Sequence, residues 1–397
     1  MDNDEDKMRK NEKGLVLSLV AVMVVVLLFT GLGLLKLGSS ARIKAAVAAS
    51  EISATAAADA GMTQARRLMN KKLVDELVWD NDTLPSETNT SLANTNASYT
   101  FNVSGDSSGF TVTSTGNSGR LTKTVYSNLT VGSLFTGISV DGTINLKNGA
   151  TLGTIPAGGN VDIRTNSVEG DSIILKSGVV VPGDVVIGPG GDIDDVIDAK
   201  QSVVIQGNTY PAQEEVIFPP VVVPQELDIL SLTPYTYIPG VPITGNVKLD
   251  SINIPVSGVQ EFNGECKVYV LGDISLSNSA GITVTAGASL TIYLAGDVNG
   301  SNSAGITNAT NDAAKFSLYG LDTCTSIDLK NDADFYGTVY APNADLLIRN
   351  GGDLYGGFIG KSFEMKNAGS FYFDIALANA GIDEIDACFK VQRWWED

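Results

Sequence analysis

The stretch LGDISLSNSAGIT (Leu271–Thr283) returns shortly afterwards, little changed, as AGDVNGSNSAGIT (Ala295–Thr307). In both copies Gly-Asp precedes a short apolar–polar alternation, and Ser-Asn-Ser-Ala-Gly separates it from Ile-Thr. Alternation of period two marks a strand with one buried face, and the small polar cluster marks a turn. Short strands and turns repeating at about 20 residues predict a solenoid: one turn cannot bury its apolar face alone, but stacked turns form a continuous core. A parallel β-helix fits better than a propeller, whose blades need about 40 residues each. A flat β-sandwich stands as the alternative.

Outward from this stretch, an apolar–basic–Asn/Ser motif recurs. It is read at Leu146-Lys147-Asn148-Gly149, Leu175-Lys176-Ser177-Gly178, Leu329-Lys330-Asn331-Asp332, Ile348-Arg349-Asn350-Gly351 and Met365-Lys366-Asn367-Ala368. Three copies are followed, at nearly equal spacing, by aromatic pieces: Asp334-Phe335-Tyr336-Gly337, Asp353-Leu354-Tyr355-Gly356 and Ser370-Phe371-Tyr372-Phe373. Asn and Gly at one place in each turn suit a corner that wants a positive φ or an Asn ladder. Tyr336, Tyr340, Tyr355 and Tyr372 recur at rung positions and are read as a ladder inside the core, with sugar or surface binding as the alternative. The solenoid is expected in two segments, 137–208 and 246–377. Between them, residues 209–245 carry seven prolines from Pro211 to Pro242 and predict an extended strap across its side. The tail 378–397, with Trp394-Trp395, is expected to cap the open end.

Upstream, residues 81–136 read as a linker and a small β-meander. Residues 83–97 are Ser, Thr and Asn with little to bury, and three strand patterns follow: Tyr99/Phe101/Val103, Phe110/Val112/Ser114, and Leu121 to Val131. Before them, Lys13-Gly14 leads into an uncharged run from Leu15 to Leu35. A hydrocarbon core asks about 20 apolar residues of a helix, and this run supplies them. Residues 15–80 are therefore read as a transmembrane and stalk helix, closed by Trp79-Asp80-Asn81-Asp82 and Pro85. Its apolar stripe is taken as Ile43, Val47, Ile52, Ala56, Met62, Leu68, Leu73 and Leu77, at irregular intervals. Lys7, Arg9, Lys10 and Lys13 flank the apolar run, which puts residues 1–14 in the cytoplasm as a leader and exports the rest. A cleavable secretory signal is the alternative, although its apolar region normally spans only about 7–15 residues.

Lys13-Gly14 before an apolar helix resembles the type III signal of type IV prepilins. The resemblance implies that a prepilin peptidase cuts after Gly14, making Leu15 the first mature residue. Most major pilins carry Glu at the fifth mature position, where this chain has Leu19. The PilX-type minor pilins commonly lack that Glu, and Ala48-Ala49-Ser50-Glu51 and Ala58-Asp59-Ala60-Gly61 resemble the Ala-rich segment of that group. Pilins pack the second half of this helix against a sheet. At the other end, Phe335-Tyr-Gly-Thr-Val-Tyr-Ala-Pro-Asn-Ala344 resembles the signature F-x-G-x-[VI]-Y-A-P-x-A of an uncharacterised C-terminal domain of bacterial surface and pilus-assembly-like proteins. Residues 245–377 also look distantly like the β-helix of the polymer-forming bactofilins. That resemblance implies architecture and location rather than a reaction.

Residues 1–80 hold 11 Lys+Arg against 10 Asp+Glu, leaving 15 against 35 for the rest of the chain. The acidic distal part argues against nucleic acid or anionic lipid as its partner. The chain has no His, which removes the commonest general base and every Ser-His-Asp arrangement. Cys266, Cys324 and Cys388 lack C-x-x-C spacing, so a metal knuckle is not indicated, and their pairing stays open. Parallel β-helices host polysaccharide lyases and hydrolases that use Asp clusters. The cluster here is Asp192, Asp194 and Asp195 with Asp198, and it matches neither calcium-loop pattern. It is read as a solvated turn, with calcium as the alternative.

The chain is therefore read as mainly β with a long N-terminal helix: a pilin-like anchor with a small α/β head, then a parallel solenoid. The expected role is non-enzymatic and without cofactor. It is that of a minor pilin or pilus-assembly protein in the cytoplasmic membrane or a cell-surface filament of a bacterium, displaying a structural or adhesive module. The expected partners are the membrane, prepilin peptidase, other pilin-like subunits, and surface polysaccharide or the chain itself, with no nucleic acid. Two rivals stay open: a membrane-anchored polysaccharide-active enzyme and a self-polymerising scaffold.

Overall fold

The computed structural model describes residues 3–75, 79–106, 109–330, 334–349, 351–366, 369–379 and 387–396; the side chains of residues 3–18, 74 and 75 lie outside this description. Asn331, Asp332, Asn350, Asn367 and Ala368 of the repeated motif, and Leu77 of the expected stripe, fall outside the described residues. The protein is mainly β, with one long N-terminal helix and a large parallel sheet wound as a solenoid. It folds as two compact units, one of residues 1–71, 80–130 and 391–397, the other of residues 72–79 and 131–390.

In the first unit, α1 (Asn3–Asp75) runs without a proline. It faces an antiparallel sheet of β1 (Ser86–Ser91), β2 (Ala97–Asp106), β3 (Gly109–Ser118) and β4 (Leu121–Ser133). Phe101 and Val103, Phe110 and Val112, and Val125 and Leu129 alternate inward from these strands. The helix meets them through Ala54, Ala57, Ala58, Gly61, Met62, Ala65 and Met69, all buried. Their spacing of three and four residues is one helical face. The large aliphatics Ile43, Val47 and Ile52, expected in the stripe, are instead exposed. Small residues carry the contact because the backbones approach closely. A Cβ on Gly116 of β3 would overlap the Ala54 carbonyl and the Ala58 amide, and the buried Ser114 hydroxyl donates to the Ala58 carbonyl at 2.7 Å.

Two expectations are corrected in this unit. Strand β1 lies inside the segment read as a linker; it pairs by backbone with β2 and keeps mostly polar side chains in solvent, so no apolar alternation announces it. Its Glu87 accepts hydrogen bonds from Gln64, Tyr99 and Thr90, and the Gln64 bond foremost holds its carboxyl below the usual range. The tail residues Ala387–Glu396 form a fifth strand beside β4 rather than a cap. Trp395 stacks on Tyr126 at 5.5 Å, and Lys123 holds Glu396 at 2.9 Å, so the tail's aromatic content serves the sheet.

In the second unit the strands stack in parallel, one coil upon the next. One inward column reads Ile252, Ile274, Val298, Ile327, Leu346, Phe363, Ile144, Ile173, Ile197. A second reads Val268, Ile292, Leu318, Val339, Phe358, Ile138, Ile163, Val185. The columns jump from Phe363 back to Ile144 and from Phe358 back to Ile138. The two segments thus make one stack whose spatial order is a rotation of the sequence order. The chain enters mid-stack at Gly137, winds to one end at Thr209–Pro211, returns to the other end near Leu232–Thr233, and winds back until Asp374 lies beside Ile155. Burial of each large apolar side chain contributes about 1.5–3 kcal/mol, so this continuous core is the main stabilising term.

The return passage is the Pro-rich segment, and its crossing part is 212–231, because the ends of 209–245 are themselves coil strands. It is fastened along one face. Asn166 exchanges two hydrogen bonds with Val216 (2.8 and 3.0 Å), the buried Tyr340 hydroxyl donates to the Pro219 carbonyl at 2.8 Å, and Lys248 binds Asp228 at 3.1 Å. Gly149, Gly178 and Gly351 of the repeated motif take the positive φ expected at its corner, and a separate set of corners runs in Asp ladders. Asp162 accepts the Asp184 amide, Asp184 the Asn208 amide, and Asp273 the Asp297 amide, each one coil on. Ser257, Ser279 and Ser303 take the left-handed turn position.

Candidate functional site

Apolar residues from Leu19 to Leu37 of α1 are exposed on every side of the helix, Phe29 and Leu35 by about seven-tenths. A helix apolar all round is stable only in a membrane or among other apolar helices. Among the described residues this is the one helix long and apolar enough to cross a membrane. Its one hydroxyl in the middle of the run is satisfied within the helix, since Thr30 Oγ1 donates to the Val26 and Leu27 carbonyls at 2.9 and 3.0 Å. Gly14 and Leu15 lie on the same continuous helix, with their side chains outside the description.

Asp192, Asp194 and Asp195 come together at the start of a short helix, Ile193–Val196. Asp192 is its N-cap: its carboxylate accepts the Asp194 amide at 3.0 Å and its carbonyl the Asp195 amide at 3.2 Å. The Asp195 carbonyl accepts the Asp171 amide of the neighbouring coil. Among the described residues no group of three acidic or cysteine side chains converges as a metal site. Asp198 lies apart from them, bonded first to Lys200 (2.9 Å) and then to Lys176 (3.0 Å), which depress its pKa. Cys266, Cys324 and Cys388 are not joined in a disulfide; burial raises the Cys266 thiol and pushes that of Cys324 up to about 12.

The tyrosines separate into two groups, which corrects their reading as a core ladder. Tyr340 is buried under the strap. Tyr336, Tyr355 and Tyr372 stand on the outer side of their strands, because Phe335, Leu354 and Phe371 take the inward positions. Tyr355 packs edge-on against Tyr336 at 5.5 Å and stacks on Tyr372 at 5.1 Å, and the Tyr372 ring lies over Gly153 of the next coil. Burial raises the Tyr336 and Tyr355 hydroxyls, with Asp374 and Asp353 adding to it. The rings cover one another, and the Tyr355 hydroxyl donates to Asp353 at 3.4 Å.

Residues 245–380 match the model of a domain of unknown function (DUF7305). The coils 137–211 stack on that domain but lie outside the match. The search of curated proteins gives no match. Among solved structures, the competence-associated pilin ComZ from Thermus thermophilus is similar over 88% of this chain and 97% of its own, at 12% identity and a TM-score of 0.29. An ice-binding protein from the Antarctic ascomycete Antarctomyces psychrotrophicus is similar over 60% of this chain and 93% of its own, at 11% identity and a TM-score of 0.23. At such scores neither likeness carries weight for function.

Sequence reasoning expected the second half of the helix against a sheet and placed Met62 in the contact, but missed most of the residues that make it. Ala54, Ala57, Ala58, Gly61, Ala65 and Met69 recur at helical spacing, and a search for large apolar residues passes over them.

Proposed function

We propose that this chain is a pilin-type envelope protein, held by its N-terminal helix in the cytoplasmic membrane or a type IV pilus-like filament, with the solenoid as its displayed module. The observation that supports it is the division of labour along α1: apolar on all sides from Leu19 to Leu37, then clamped by small residues onto an antiparallel meander from Ala54 to Met69. The finer part of the proposal is processing after Gly14 and a minor, PilX-type place, since Leu19 stands where major pilins carry Glu. The role is structural or adhesive rather than catalytic: Asp162, Asp184, Asp192, Asp273 and Asp297 hold turns, and Asp198 and Asp328 hold cations. Mass spectrometry of the mature N-terminus, beside a Gly14→Val control, tests it. A start at Leu15 that vanishes in the control supports the filament pathway. A retained Met1, or a start near Ser50, overturns it.

A further inference from the structure

The basic residues of the five motif copies, with Lys200 one coil further on, fall on one corner of six successive coils: Lys330, Arg349, Lys366, Lys147, Lys176 and Lys200. Registers place Lys330 against Arg349 and Arg349 against Lys366. Amide bonds to the preceding coil carry the line on through Lys147 (to Met365, 2.9 Å), Lys176 (to Leu146, 2.9 Å) and Lys200 (to Leu175, 3.0 Å). At about 4.8 Å per strand the column covers roughly 24 Å. It crosses the junction between sequence-distant halves, so it exists only in the folded stack.

Three carboxylates sit beside it, each bridging two cations. Asp328 takes Arg349 by two bonds of 3.0 Å and Lys330 at 3.5 Å; Glu364 takes Lys147 at 3.7 Å and Lys366 at 3.8 Å; Asp198 takes Lys200 at 2.9 Å and Lys176 at 3.0 Å. Among the described residues of this corner, three positive charges are left over, one per two coils. The cations keep between 28% and 52% of their side-chain surface open. Asn148, Ser177 and Ser202 lie exposed beside them on the same corner, with Ser177 and Ser202 bonded hydroxyl to hydroxyl at 2.7 Å.

We infer that this column is a docking strip for a linear polysaccharide that carries widely spaced carboxylates. One surplus charge per two coils, about 10 Å, matches one uronate per disaccharide along a chain lying parallel to the stack. Duplex DNA carries a charge about every 1.7 Å of its axis, several times denser than the strip neutralises. At physiological salt, charges beyond about 8 Å are screened, so the strip acts on a contacting carboxylate while the distant acids do not. The amide and hydroxyls of Asn148, Ser177 and Ser202 supply hydrogen-bond partners for sugar hydroxyls. This inference goes beyond the pilin reading and holds whether or not Gly14 is processed.

Titration of the full-length chain in detergent with hyaluronan oligosaccharides, their carboxyl methyl esters and duplex DNA tests it. Hyaluronan should bind, with affinity falling as salt rises, and the esters should not. A Lys147→Gln/Lys176→Gln/Lys200→Gln chain should bind about tenfold more weakly, three exposed charge contacts being lost. Asp198→Asn frees Lys176 and Lys200 and should bind more tightly, an outcome that mere loss of structure does not produce. Equal binding of esters, DNA bound as tightly as hyaluronan, unchanged affinity in the triple variant, or weaker binding by Asp198→Asn overturns the inference.

Discussion

Replacing Gly116 with Ala adds one methyl group where the helix and sheet of the first unit touch. That carbon would overlap two backbone atoms of α1, the Ala54 carbonyl oxygen and the Ala58 amide nitrogen. Neither can rotate aside, so helix and sheet must part by about 1 Å, a gap that forfeits a quarter to a half of each dispersion contact along the seam. Ala54, Ala57, Ala58, Ala65 and Met69, all fully buried, share that loss, and the Ser114 hydroxyl bond to the Ala58 carbonyl lengthens with it. Overpacking costs about 1–3 kcal/mol, and a clash with rigid backbone belongs at the upper end, about 3 kcal/mol. Ser114→Ala, which removes the bond without adding volume, should cost about 1–2 kcal/mol. Gly109→Ala, with only the Leu129 carbonyl at 4.0 Å, should be close to neutral. Hydrogen exchange of the β3 amides in the full-length chain measures all three. Equal protection in Gly116→Ala and Gly109→Ala would refute a seam built on close backbone approach.

Three more outcomes are expected. Phe363→Ala, which hollows the core where the two sequence-distant halves stack, should cost about 3–5 kcal/mol and lower the solenoid's melting temperature in a thermal scan. Maleimide labelling of the native chain at pH 8 should reach the half-buried Cys388 first, because a thiol at about 12 is only about one part in 10⁴ thiolate there; Cys324 should react only on unfolding. Burial raises Asp162 above its unfolded value, against the Asp184 amide bond that lowers it, so the folded state binds its proton more tightly and this residue's contribution improves as pH falls through the folded pKa. Asp162→Asn, which keeps the acceptor for the Asp184 amide, should therefore stabilise at pH 7 and lose its advantage at about pH 3, below the unfolded value; chemical denaturation at the two pH values reads this.

The solenoid was legible in the sequence because its repeat encodes contacts between coils that are also neighbours in the chain. Gly272-Asp273 and Gly296-Asp297 recur one coil apart because one corner aspartate accepts the next corner's amide. The join between Phe363 and Ile144 was not legible: the two residues carry the same apolar, inward-facing pattern as every other rung, and periodicity does not say which rungs touch. The Tyr336 ladder was misplaced for a related reason. Alternation shows that Phe335 and Tyr336 face opposite ways, and the choice of inner face comes from the column each ring enters, here Ile306 before Phe335 and Leu354 after it. Strand β1 left no trace because a polar edge strand is held by backbone bonds that any residue type can make.

The rotated order of the stack has a topological consequence. A simple solenoid has its entering and leaving strands at opposite ends, a full stack apart. Here the chain enters at Gly137 and leaves at Asp374 on coils that touch, because Phe358 pairs with Ile138 and Asp374 with Ile155. In the antiparallel sheet, the strand that leads toward the solenoid, β4, and the strand that returns from it, Ala387–Glu396, are likewise neighbours. Each sheet therefore brings its own pair of junction strands side by side. The Pro-rich passage makes this arrangement practicable: apart from one helical turn, Gln225–Asp228, it crosses without regular structure, it needs no sheet partner while crossing, and Asn166, Tyr340 and Lys248 pin it.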